Sequence, residues 1–389
     1  PRARVSDDGA YRVAFLDWLA CAVGGRDEPA ARASAALGDG VAERVAAAGA
    51  AGHVLDFDDT HAPSLAHLSA APAPAVLVVG SDLGSTVADV LTAYADGFEA
   101  AGRLAVANHP GLRARGWHPT AVCGVVGAAV AVARLLGLDG ERREHAVRLA
   151  LLRAGGLHAA FGSDGKALQV GLAAAAGATA ARLAAAGATA GPEVHAGFEE
   201  AFGATWPDGV ADPPPTTPRL VDENWIKAYP CCLQTHGAIE AAARVRAEGG
   251  PPAGARLEVV VHPVALRTAW RTDVATGLEA KFSIPYLTAF TLLHGEPRVE
   301  SFAAVDTEAR ALAADRVAVR TDPGLGESEA RIVAGGDELA RVDNALGSPA
   351  RPMDEPARAA KVRALAGDRL AGALDDADRP ARELLAALG

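Results

Sequence analysis

At 389 residues, half of them hydrophobic, the chain exceeds the size at which one core stops growing, so more than one domain is expected. Its net charge of -11 and pI near 5.5 argue against a nucleic acid or an anionic membrane surface as partner, because either needs a basic face. Aromatic residues are only 5% while Ala and Gly fill long runs, so the core must come from helices with small side chains packed closely, and the chain reads as mainly α. The four cysteines, Cys21, Cys123, Cys231 and Cys232, form no CxxC pair and no zinc-ligand spacing. A reduced, cytoplasmic setting is expected, and the first residues show no charged-then-apolar leader pattern.

In chain order, residues 11–24 (YRVAFLDWLACAVG) are apolar all round and read as a core helix, and a second helix covers part of 41–51. Then comes HVLDFDDTHAPSLAH, residues 53–67, with three aspartates (Asp56, Asp58, Asp59) and three histidines (His53, His61, His67). No other stretch is as dense in proton-transfer groups. A buried carboxylate or imidazole costs several kcal/mol unless it is paired or used, so this cluster between apolar helices points to a working surface. Caps and loop closures are the alternative use for the same residue types.

The prolines of APAPAVLVVG suit a helix start or an extended entry. Thr86 and Asp89 have capping-box spacing, and Val87, Leu91, Tyr94 and Phe98 recur with helical period behind them. The loop NHPGLRARGWHPT carries His118 to the mouth of an apolar helix, Ala121 to Leu138, that is too short for a membrane span and interrupted by Arg134. At that helix start His118 is placed to face a carboxylate or move a proton, although a lone loop histidine is more often structural. Residues 141–157 have helical pattern, and the turn FGSDGK leads into a helix over 166–187.

Only four lysines occur, Lys166, Lys227, Lys281 and Lys361, among 37 basic residues, so composition drives basic positions to Arg. Lys166 and Lys227 stand in largely uncharged sequence beside helix starts, where a compact ammonium does what a guanidinium cannot. GSDGK lacks the remainder of a phosphate loop, and dinucleotide, Gly-x-Ser-x-Gly and metal-helix signatures are absent. From Pro207 the run WPDGVADPPPTTPRL is too proline-rich for helix or strand and marks the edge of the first domain. Beyond it, three β-like runs, RLEVVVHP, DRVAVRTD and ARIVAGG, indicate a smaller α/β domain. Tyr286 follows a proline at the start of an apolar helix, where its hydroxyl is able to serve an oxyanion or a proton transfer, or simply to sit in the core. The tail from Pro352 returns to amphipathic helix.

Taken together, LDFDDTHAPSLAHLSA, RGWHPTAVCGVVGAAVAVARLLGL, GSDGKALQVGLAAAAG, WIKAYPCCLQTHGAIEAA, AKFSIPYLTAFTLLHG and PARPMDEPARAAKVRALAG resemble, in order and spacing, the MmgE/PrpD family. That family includes 2-methylcitrate dehydratase, cis-aconitate decarboxylase and iminodisuccinate epimerase. The resemblance implies a helical large domain, residues 1–222 and 348–389, with an inserted α/β lid, residues 223–347. It implies a homodimer without metal or organic cofactor, acting on a small di- or tricarboxylate at a site between helical domain and lid. The site positions correspond to Asp56, Thr60, His67, His118, Lys166, Lys227 and Tyr286. Lys166 and Lys227 would hold carboxylates, assisted by Thr60 and His118. His67, oriented by Asp56, would be base or acid at the reacting carbon, and Tyr286 would handle a second proton. HLSA replaces the usual HPSA at His67, one extra residue separates Thr60 from His67 relative to the decarboxylase branch, and Leu233 stands where many relatives have Arg. A 2-methylcitrate dehydratase-like hydro-lyase is the first expectation, ahead of an epimerase, decarboxylase or cyclase. Two readings of other classes are a metal-dependent hydrolase with Asp58, Asp59, His61 and His67 as ligands, and a non-catalytic binding protein.

Overall fold

The Ala- and Gly-rich first half becomes a bundle of helices because its small residues let backbones touch. The computed structural model describes residues 9–213 and 217–389, so residues 214–216 of the proline-rich run expected at the domain edge lie outside it. It is mainly α with a small sheet. Contacts divide the chain into two units. The first comprises residues up to Ala160, Asp164–Ile226 and Asp354–Gly389, and the second comprises Phe161–Ser163 and Lys227–Met353.

The first unit opens with α1 (Gly9–Gly25), α2 (Pro29–Ala35) and α3 (Val41–Val54), followed by the short strand β1 (Thr60–His61). Then come α4 (Pro72–Leu83), α5 (Val87–Ala107), α6 (Gly111–Ala114) and α7 (Pro119–Leu135). The helices α8 (Gly140–Leu151), α9 (Gly165–Ala185) and α10 (Glu193–Phe202) and the strand β2 (Asn224–Trp225) complete this part. The prolines at 72 and 74 sit in the first turn of α4, where no amide proton is missed. The capping box at the start of α5 is present in both directions, Thr86 accepting from the Asp89 backbone and Asp89 from that of Thr86. Gly137 takes positive φ just beyond α7, as a helix-terminating glycine does. The 141–157 pattern stops early, at Leu151. Helix α9 has the length and hydropathy of a membrane span, yet 61% of that apolar window is buried inside the molecule.

Close approach explains the glycines of the central helices. A Cβ on Gly97 would lie 2.5 Å from the Gly127 carbonyl oxygen, and one on Gly171 would lie 2.3 Å from that of Ala46. Helix α5 therefore crosses α7, and α9 crosses α3, with backbone against backbone. Gly97→Val is expected to destabilise the protein by about 1–3 kcal/mol through overpacking. Urea unfolding checks this, and an unchanged midpoint would show that the crossing has slack.

The tail folds back within the same unit. Helix α16 (Glu355–Ala366) packs against α1, and α17 (Ala381–Ala386) against α4, with backbone bonds from Val87 to Arg379 and from Ala381 to Ser85.

In the second unit the three expected strands form, as β3 (Leu257–Val261), β4 (Val317–Thr321) and β5 (Ala330–Ala334). A fourth, β6 (Asp337–Val342), follows a Gly335-Gly336 turn with both glycines at positive φ. The sheet order is β4-β3-β5-β6, with β3 parallel to β4 and antiparallel to β5. Leu257, Val259 and Val261 of β3 and Ala330 and Ile332 of β5 form one core with Ala238, Ala241 and Val245 of α11 (His236–Ala247). Between β3 and β4 run α12 (Pro263–Thr268), α13 (Gly277–Ala280), α14 (Ile284–His294) and α15 (Thr307–Arg316).

Candidate active site

The acidic segment 53–67 is buried in the first unit, and its charges are paired. Helix α3 ends at Val54 and delivers His53 on its last turn. Asp56 follows in the left-handed region, φ 52, where glycine would ordinarily stand. Asp tolerates this conformation better than most residues, and its carboxylate is what the site uses there. Lys166, at the second position of α9, donates to Asp56 Oδ1 at 3.1 Å and to His53 Nε2 at 2.8 Å. Since His53 Nε2 accepts, His53 Nδ1 carries the proton and donates to Asp58 Oδ2 at 2.8 Å. That same oxygen lies 3.0 Å from His67 Nδ1, and His67 Nε2 lies 3.6 Å from Asp56 Oδ1. His53 meets His67 edge to face at 4.5 Å and stacks on His118 at 5.9 Å.

The structure thus brings Asp56, His67, His118 and Lys166 together around His53, a residue within the acidic segment to which the sequence assigned no role. It also puts Asp58 nearer than Asp56 to the His67 ring. Of the four residues considered as metal ligands, Asp58 and His67 lie together. His61 instead bonds Ser64 at 2.9 Å, and Asp59 accepts from Asn224 at 2.8 Å. The set His53, Asp58 and His67 has ligand atoms within 4.8 Å of one another, and its members are already joined by hydrogen-bond-range contacts.

The loop is pinned from three sides. Lys361 of α16 donates to the Phe57 carbonyl at 2.8 Å, pairs with Asp17 at 2.6 Å and lies 4.0 Å from the Phe57 ring centre. Thr60 and His61 pair with Trp225 and Asn224 across β1 and β2. The His67 backbone donates to Thr120 Oγ1 in the first turn of α7. Thr60 is buried, and its Oγ1 has no hydrogen-bond partner among the described residues, so a polar ligand would satisfy it.

Burial pushes the Asp58 carboxyl up, but His53 and His67 outweigh it and hold it well below the usual range. Burial, helped by the Lys166 charge, holds His53 below the usual imidazole range against the pull of Asp58. His118 is driven well below that range by burial and by Lys166, so it stands neutral. The two ring nitrogens of His67 each face a carboxylate oxygen, Nδ1 that of Asp58 and Nε2 that of Asp56.

Asp59 behaves differently. Burial raises its carboxyl to about 7, partly offset by a Ser69 hydrogen bond. Between the ordinary 3.8 and that value the folded chain keeps a proton that the unfolded chain releases. The associated stability is full at low pH and is lost as pH rises through about 7. Asp59→Asn is therefore expected to look better relative to wild type at pH 8 than at pH 5, in urea midpoints measured at both. A difference that does not vary with pH would show that Asp59 does not titrate in this way.

Within the second unit, Lys227 is 1% exposed. Tyr286, also buried, caps nothing itself; its backbone is held by Ser283 at the start of α14, and its hydroxyl accepts from the Asp306 amide at 2.9 Å, leaving its own proton for another acceptor. Lys281 donates to the Pro230 carbonyl at 2.7 Å. All four lysines are thus interior.

A two-unit chain with a buried Lys, carboxylate and imidazole network in its helical part belongs to the MmgE/PrpD family. Residues 42–206 match the MmgE/PrpD N-terminal domain and residues 229–386 the C-terminal domain. Among its relatives, cis-aconitate decarboxylase of Homo sapiens is 30% identical over 272 residues, which is 65% of this chain and 56% of that protein. The Mus musculus enzyme is 29% identical over 276 residues, covering 65% and 55%. Cis-aconitate decarboxylase of Aspergillus terreus (strain NIH 2624 / FGSC A1156) is 32% identical over 211 residues, covering 49% and 42%. The chain spans about half the length of the curated relatives it matches.

Proposed function

We propose that the protein is a lyase of a small di- or tricarboxylate that works without metal or organic cofactor, and that decarboxylation beside a second carboxylate is its reaction. The observation that carries this is the His67 ring between Asp58 and Asp56. Breaking the bond to a departing carboxylate leaves an electron pair on carbon, stabilised as an enolate-like anion, and that anion needs a proton. In this reading His67, held between the two carboxylates, supplies it as an imidazolium. Lys166 and the unpartnered Thr60 hydroxyl provide positive charge and a donor for the carboxylate that stays. The names of the relatives point the same way. The roles given to Lys227 as a second carboxylate clamp and to Tyr286 as a proton carrier rest on the family resemblance alone. A reducing, cytoplasmic location suits four buried and unbridged cysteines, and a homodimer is the family's implied assembly.

Dehydration of a 2-methylcitrate-like acid, which the same family resemblance implies, is the second reading. It would use His67 first as base. The test is incubation with cis-aconitate, 2-methylcitrate, citrate and iminodisuccinate in D₂O. The expected result is CO₂ release with one deuterium gained at carbon, unchanged after chelator treatment. Water loss without CO₂ would give the chain to the dehydratase branch, and exchange without net change to an epimerase. A stoichiometric divalent ion whose removal abolishes turnover would favour a metal site at His53, Asp58 and His67.

A further inference from the structure

Helix α9 brings a second polar side chain to this site besides Lys166. Gln169, one turn further along, bonds the Leu157 backbone at two points. Its Oε1 accepts from the Leu157 amide at 2.8 Å, and its Nε2 donates to the Leu157 carbonyl at 3.2 Å. The same Nε2 donates to His118 Nδ1 at 2.7 Å. This grip decides which way the amide faces. A reversed Gln169 would set its NH₂ against the Leu157 N–H and its oxygen against the Leu157 carbonyl, two mismatches in place of two bonds. Only the amide nitrogen therefore faces His118, and Nδ1 of that ring must accept. A neutral imidazole that accepts at Nδ1 carries its proton on Nε2.

The backbone around the pair is built to the same end. The His118 amide donates to the Gly156 carbonyl and the His158 amide to that of Gly116, so Trp117 and Leu157 face each other as a short bridge. Gly156, at φ +115, brings the chain against Gln169, since a Cβ there would lie 3.3 Å from Oε1. The peptide that orients Gln169 is thus itself tied to the residue beside His118.

We propose that Gln169 is a positioning residue that locks His118 as the Nε2–H tautomer, so that this ring offers the substrate a hydrogen-bond donor and not a base. This deepens the reading given above, because it divides two histidines between two roles. His67 carries the transferable proton. His118, kept neutral beside the Lys166 charge, donates to the developing anion without giving its proton away. A donor of that kind strengthens as charge builds in the transition state, whereas a base at the same place would repel it.

The test is a two-bond ¹⁵N–¹H spectrum of histidine-labelled protein, with His118 assigned from its loss in His118→Asn. The wild type is expected to show a neutral ring protonated at Nε2 between pH 6 and 8. In Gln169→Glu, nearly the same shape, the side chain accepts where Gln169 donated, so the His118 proton moves to Nδ1. Turnover is expected to drop about 10²-fold in kcat with KM changed only a few-fold. A wild-type ring protonated at Nδ1 would overturn the proposal, as would an Nε2–H ring or wild-type kcat in Gln169→Glu. The wild-type spectrum needs neither the variant nor a substrate, so the tautomer is decided whichever acid the protein turns over.

Discussion

His67→Ala is expected to lower kcat by about 10²- to 10⁴-fold while leaving the fold intact, the range that one general acid or base supplies. His67 is the residue whose removal tests the proton-transfer reading most directly. It does not hold the loop by its side chain alone, since its backbone is anchored to Thr120 and its neighbours to Lys361 and Asn224. The cavity left by the imidazole lies beside Asp58, which keeps its bond from His53. Circular dichroism and urea unfolding should therefore show a modest change while turnover collapses. If the alanine variant works at near wild-type rate on the acid that wild type consumes, another group moves the proton.

Lys166→Met is expected to damage stability and activity together. Two buried partners, Asp56 Oδ1 and His53 Nε2, lose the same donor at once, and the Asp56 carboxylate, 2% exposed, loses the ammonium 3.1 Å away. Breaking a buried ion pair from one side costs about 3–5 kcal/mol. In addition, removing one charged donor from an anion-stabilising site costs about 10²- to 10³-fold in kcat. Lys166→Arg should fare little better, because a planar fork does not fit the two-point ammonium geometry. The readouts are the urea midpoint at pH 7 and kcat/KM. An unshifted midpoint with full activity would remove Lys166 from both the network and the mechanism.

Much of the helical architecture was legible because it is written locally. Apolar period and the Thr86 capping box each declare an element within a few residues. Strand β6 was not legible, for DELARV has no two-residue apolar alternation and only the preceding glycine pair marks the hairpin. Short α2 likewise carries too few turns to show a period.

The site divides along the same line. That 53–67 matters is visible in its density of Asp and His, and the scarcity of lysine singles out Lys166. Which group faces which is not visible, because the contacts join residues 110 apart, as in Lys166 with Asp56, or 304 apart, as in Lys361 with Phe57. His53 and Gln169 take their roles from such crossings, with Lys166 and His118, while Asp58 meets His53 and His67 within its own segment. The sequence signal for Gln169 is its helical spacing of three from Lys166.

The interior placement of every lysine has a chemical corollary. The outer surface of the described protein presents guanidinium groups as its basic side chains and keeps its primary amines inside. A reagent that acylates amines at neutral pH would find no exposed side-chain target on that surface while the chain stays closed, and acylation of Lys166 would become a clock for how often the interior opens.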